Sequence, residues 1–130
     1  MPTRNEYNLG RPKFVADEGS VMLLGTGAQV NWAAVDPEDD GRRLLHAGTV
    51  IWRDPSTGLI EPADTGNGKD ANGILVADCH DGRGQNRALH GVYLGGHFYE
   101  NLMATPPSGA DKAALGERFV FIEYEDSRLD

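Results

Sequence analysis

Residues 45–62 decide the fold: Leu45-His46-Ala47-Gly48-Thr49-Val50-Ile51-Trp52, then Arg53, then Asp54-Pro55-Ser56-Thr57-Gly58, then Leu59-Ile60-Glu61-Pro62. The first run carries the β-branched and aromatic residues that suit a pleated, half-buried surface. The middle begins on Asp-Pro and ends on Gly, each where tight-turn geometry favours it. The last run is apolar again, so the spacing predicts a hairpin over 48–62.

Toward the C-terminus, a polar loop from Asp64 to Asn72 leads into Gly73-Ile74-Leu75-Val76-Ala77, an unbroken apolar run of the kind a buried strand shows. Asp81-Gly82-Arg83-Gly84-Gln85-Asn86 is a turn by composition. The strand expected next, Ala88 to Leu94, puts Leu89, Gly91 and Tyr93 on one phase and Ala88, His90, Val92 and Leu94 on the other. His97 to Leu102 closes this half, and an irregular stretch with Pro106-Pro107 comes after it. Asp111 to Gly116 predicts one or two helical turns capped by Ser108 or Asp111. Phe119 to Tyr124 is the last expected strand.

Toward the N-terminus, Val21 to Leu24 is a short apolar run closed by Gly25 and Gly27, and Gln29 to Val35 puts Val30, Trp32 and Ala34 on one phase. Residues 1–19 hold isolated Tyr7, Leu9, Phe14 and Val15 among polar residues, with Gly10 and Pro12 breaking any period. They are expected to form an arm without a core of its own, able to order on meeting a partner. The fold class expected is α+β, mainly β: a small compact domain over 20–130, with one short helix and an extended N-terminal arm.

The chain has 130 residues, a size typical of one domain, and its 17 Gly and 7 Pro favour short strands over long helices. Twenty acidic against twelve basic side chains give a net charge of −8, which argues against nucleic acid and against an anionic membrane as partner. Cys79 is the single cysteine, so no internal disulfide holds the chain together. No apolar run approaches the roughly 20 residues needed to span a bilayer, and no apolar stretch comes after Arg4 as a secretory signal requires.

Catalytic chemistry finds little to stand on. Cys79 and His80 are adjacent, and neighbours on a strand point to opposite faces. His46, His80, His90 and His97 lack the spacing of a helical zinc motif. Asp64 to Asp70 has Gly66 and Gly68 where a calcium loop needs side-chain oxygens, and Leu75 where it needs a bidentate Glu. The acidic run Asp36-Pro37-Glu38-Asp39-Asp40-Gly41 has the composition of a solvated loop. Neither a metal nor another cofactor is expected.

Two stretches together resemble the head decoration proteins of lambda-like tailed phages. The first is Ala47-Gly48-Thr49-Val50, the turn at 54–58, Leu59, Pro62, then Gly73-Ile74-Leu75. The second is Phe98-Tyr99-Glu100-Asn101-Leu102, a Pro-containing linker, the short polar helix over 111–117 and a final apolar strand. The likeness covers roughly residues 45–125, and departs from the family in the 36–43 region and in the longer 78–87 turn. It implies a non-enzymatic virion protein, made in the host cytoplasm. The copies would form a homotrimer bound to the major capsid protein at threefold or quasi-threefold positions on the outer face of an expanded capsid. It also implies an N-terminal arm that orders against the shell.

On that reading Tyr7, Leu9, Phe14 and Val15 contact the capsid, while Trp32, Trp52 and Tyr99 belong to the core or the trimer interface. Three alternatives stay open. One is a small β-rich, metal-dependent enzyme using Cys79, His80, His90 or the carboxylates. Another is a ligand- or carbohydrate-binding module with Trp32 or Trp52 in a groove. The third is a different virion component, such as a head-fibre base.

Overall fold

The computed structural model describes residues 12–81 and 88–125. Among these residues, strands β1 (Val15–Leu23), β2 (Leu44–Leu45), β3 (Val50–Arg53), β4 (Ile60–Pro62), β5 (Gly73–Leu75), β6 (Cys79–His80), β7 (Val92–Tyr99) and β8 (Phe119–Ile122) are accompanied by one α-helix, α1 (Gly109–Leu115). Six strands form the main sheet in the order β1-β7-β5-β3-β4, with β8 also on β7, while β2 and β6 form a separate pair. The chain is therefore a small, mainly β member of the α+β class.

The hairpin forms as its turn chemistry demands. Trp52 pairs with Glu61, the Asp54 carboxylate accepts from the Ser56 N–H at 2.8 Å, and the Asp54 carbonyl accepts from Gly58 N–H at 2.7 Å. The expected strand from 45 to 52 breaks in two because Thr49 turns back. Its N–H and hydroxyl both donate to the His46 carbonyl, at 3.1 and 2.6 Å. Gly48 stands in this corner at φ +87°, where a Cβ would lie 2.9 Å from the Ala104 nitrogen. No residue with a side chain fits there without strain.

Around β3, β5 and the start of β7 both faces of the sheet are covered. Val50, Ile74 and Tyr93 are register partners that pack with Phe14, Phe98, Phe119 and Leu115 of α1 on one face. Their chain neighbours Ile51, Leu75 and Val92 face the other way, against Val30, Trp32, Val35, Leu45 and Cys79. That alternation is the period of two that strands impose. It breaks in β7: Tyr93 and Phe98 are an odd number of residues apart, yet share a cluster. Gly96, at φ +141°, produces the switch, and Val21 packs so closely over it that a Cβ would lie 2.8 Å from the Val21 Cγ1.

The helix starts on a reciprocal cap: Ser108 Oγ accepts from Asp111 N–H at 3.1 Å, and Asp111 Oδ2 accepts from Ser108 N–H at 3.2 Å. The Thr65 hydroxyl donates to the other Asp111 oxygen at 2.7 Å, which ties the 64–70 loop to α1. Glu61, nearly fully buried, accepts from Lys69 and Asn31, so this carboxylate is paired and hydrogen-bonded as a buried charge must be.

Two expectations need correcting. Residues 13–19 are not a loose arm. Phe14 and Val15 are 3% and 2% exposed, Val15 pairs with Phe98, and the Phe14 ring lies 6.2 Å from both Tyr93 and Phe98. Period counting misses this because the partners of Phe14 lie some eighty residues away in sequence. The stretch after Gln29 is not extended throughout either. Trp32–Ala34 is a short 3-10 turn, and Gln29 and Asn31 instead hydrogen-bond along Ile60, covering the free edge of β4.

Candidate functional site

Beyond Gly96 the main sheet changes character. The switch in β7 turns His97 and Tyr99 away from the aromatic cluster, onto the face that the second cluster covers only farther back. β8 runs parallel beside them, with His97 opposite Val120 and Tyr99 opposite Ile122. Phe119 and Phe121 point to the aromatic cluster, each ring 6.0 Å from that of Phe98. Val120 and Ile122 face outward and are 39% and 44% exposed. Tyr124 continues the row, and its ring meets that of Tyr99 edge-on at 5.1 Å. The Asn101 side chain both donates to and accepts from the Tyr124 backbone, at 3.1 and 2.8 Å, and so extends β8 past its last ladder pair.

The same end of the sheet holds the start of the described chain. Tyr99 N–H donates to the Phe14 carbonyl at 2.7 Å, so residues 12–14 flank one side of Tyr99 while Ile122 and Tyr124 flank the other. Exposed apolar side chains at a sheet end with an open strand edge make this the candidate interaction surface among the described residues. This one combines the anchored root of the N-terminal segment with an apolar row.

Of the residues singled out from sequence, Tyr7 and Leu9 lie outside the described residues. Phe14 and Val15 are core, not free contact residues, because their side chains complete the aromatic cluster. Trp32 is buried in the second cluster, while Trp52 and Tyr99 are half-buried. Trp32 also borders a shallow groove of about 290 Å³ lined by Gln29, Val30, Asn31, Ala33 and Leu59. Its burial weighs against stacking on a sugar. Val120, Ile122 and Tyr124 escape a reading of the sequence, although one signal is present. An uninterrupted Phe-Val-Phe-Ile run in so acidic a chain has two apolar faces, and the described residues cover only one of them.

The candidate catalytic residues are dispersed. Cys79 is buried opposite Leu45 while His80 is exposed, as neighbours on a strand should be. Burial, helped by the charge of Asp78, pushes the Cys79 thiol up to about 11, the reverse of what a nucleophilic thiolate requires. His90 is shifted down by burial and then by nearby His80, and its Nε2 has no hydrogen-bond partner among the described residues. His46 lies 3.4 Å from Glu38 through Nε2 and 4.0 Å from Asp78 through Nδ1, so the two carboxylates sit at different nitrogens. Among the described residues no group of three His, Cys, Asp or Glu converges on a metal position, and no helix is long and apolar enough to cross a membrane.

The thiol makes a direct prediction. In the folded protein at pH 8, Cys79 should react with an aromatic disulfide reagent orders of magnitude more slowly than in denaturant, and Cys79→Ala should leave any binding activity intact. Fast labelling of the native protein would favour the enzyme reading.

No protein-family model and no curated protein matches this chain.

Proposed function

We propose that this chain is a virion structural protein that decorates and stabilises the outer surface of an expanded phage capsid, binding as a homotrimer at threefold or quasi-threefold positions. The observation that carries the reading is the sheet end around Tyr99. There the chain before Phe14 leaves a rigidly packed anchor beside an exposed apolar row, a geometry suited to fastening onto a neighbouring protein. Residues 1–11 then supply the shell contact, with Tyr7 and Leu9 as its apolar side chains, while Phe14 and Val15 hold the root. An extended segment can add to an exposed sheet edge of the capsid protein, with alternate side chains filling pockets. Three such segments on one trimer raise the effective concentration of each for its site.

The negative charge suits this role. Free copies repel one another and remain soluble until they meet a shell. A ligand that binds only the assembled state stabilises it by mass action, so decoration raises the temperature at which the shell comes apart.

The deciding experiment is light scattering on size-exclusion fractions, followed by co-sedimentation with expanded, undecorated heads of the cognate major capsid protein. The expected mass is three times 14.1 kDa, with saturable binding. A monomer that remains in the supernatant at every concentration sinks the reading.

A further inference from the structure

We infer that the open edge of β8, with Val120 and Ile122 on its outer face, is a second contact with the shell, one that accepts an extended strand of the capsid protein. The inference rests on the decoration reading and adds a surface that the N-terminal segment does not supply.

The three edges of the main sheet differ in how they are defended. β4 is covered by Gln29 and Asn31, which exchange hydrogen bonds with Ile60, and it ends on Pro62. β1 has register breaks at three points along its pairing with β7 and carries exposed Asp17 and Glu18. Bulges, charges and proline are the usual means of keeping an edge from recruiting another strand. β8 has none of them within Phe119–Ile122, and among the described residues it pairs with β7 alone. Its core face is closed by the aromatic cluster, and Lys112 of α1 lies 5.9 Å from the centre of the Phe121 ring. Its outer face is left apolar.

The occupant is indicated by where the N-terminal segment starts. Phe14 and Ile122 both flank Tyr99, so the root of the segment and the β8 edge are about two strand spacings apart, roughly 10 Å. A domain fastened to a shell through residues 1–11 brings the β8 edge against the same shell protein. Glu123 and Glu125 come directly after the apolar row and are exposed. The fitting partner is therefore a strand with aliphatic residues at alternate positions and a basic residue at the end that meets these carboxylates. Backbone pairing supplies affinity, and the alternate pockets supply specificity.

The test is the double variant Val120→Lys, Ile122→Lys. Both sites are solvent-exposed, so folding should survive, which circular dichroism and light scattering verify. Co-sedimentation with expanded heads is then compared among wild type, this variant and Leu89→Lys, whose exposed side chain lies beyond the opposite end of β7. Placing two charges where aliphatic side chains meet the shell strand should weaken binding about tenfold or more, with Leu89→Lys unchanged. Equal binding by the double variant and wild type overturns the β8 contact and leaves decoration standing. A drop in oligomeric mass in the double variant assigns β8 to contacts between copies and also overturns it. A wild-type protein that does not sediment overturns both readings.

Discussion

Phe98→Ala should cost about 3–5 kcal/mol, read as a fall in the urea midpoint with little change in slope. Phe98 is fully buried, and its ring lies within 6.2 Å of four others, those of Phe14, Tyr93, Phe119 and Phe121. Those four come from the segment before β1, from β7 itself and from β8, so one ring joins both ends of the chain to the middle of the sheet. Truncation leaves a cavity walled by aromatic rings, which are stiff and collapse poorly into the space. Domains of this kind are stable by only about 5–15 kcal/mol, so the loss is a large share of the total. Phe121→Ala is the internal comparison. Phe121 is half-buried on the same strand pairing and should lose less than half as much. A shift below about 1 kcal/mol for Phe98→Ala would show that the aromatic cluster does not hold the sheet together.

The second prediction separates the N-terminal segment from the fold. Removing residues 1–11 should leave the unfolding midpoint where it was and abolish co-sedimentation with expanded heads. Removing residues 1–15 should also lower stability by at least about 3 kcal/mol, because it deletes the Phe14 ring and the Val15 side chain from the core. Tolerance of truncation depends on the burial and hydrogen bonding of the deleted residues, and Phe14 and Val15 are both buried and hydrogen-bonded or paired to β7. A chain beginning at residue 12 that still decorates heads would eliminate the segment as the shell contact. Equal stability of the two truncations would remove Phe14 from the core.

The two predictions share a physical origin. Val15 pairs with Phe98, and Phe98 with Phe121, so the core is assembled by contacts of long sequence separation. Such contacts leave little trace in local periodicity, which therefore places the end of the N-terminal segment several residues too far along the chain. The apolar row on β8 is hidden from the sequence for a related cause. Only the position of β7 decides which of the two apolar faces of Phe119–Ile122 becomes core and which is left exposed.

The sequence by itself determined whatever short-range chemistry controls. The 54–58 turn results from Asp-Pro and Gly at positions that favour them. The start of α1 results from the reciprocal bonds of Ser108 and Asp111, and the opposite orientations of Cys79 and His80 from the two-residue period of a strand. The tertiary structure alone decided that β8 lies parallel to β7, that Gly96 exchanges the faces of β7, and that Trp32 is buried from a 3-10 turn. It also placed the root of the N-terminal segment beside an open edge. The division has one physical reason: turns and caps are satisfied by neighbours within a few residues, whereas a strand learns which face to bury only from the strand beside it.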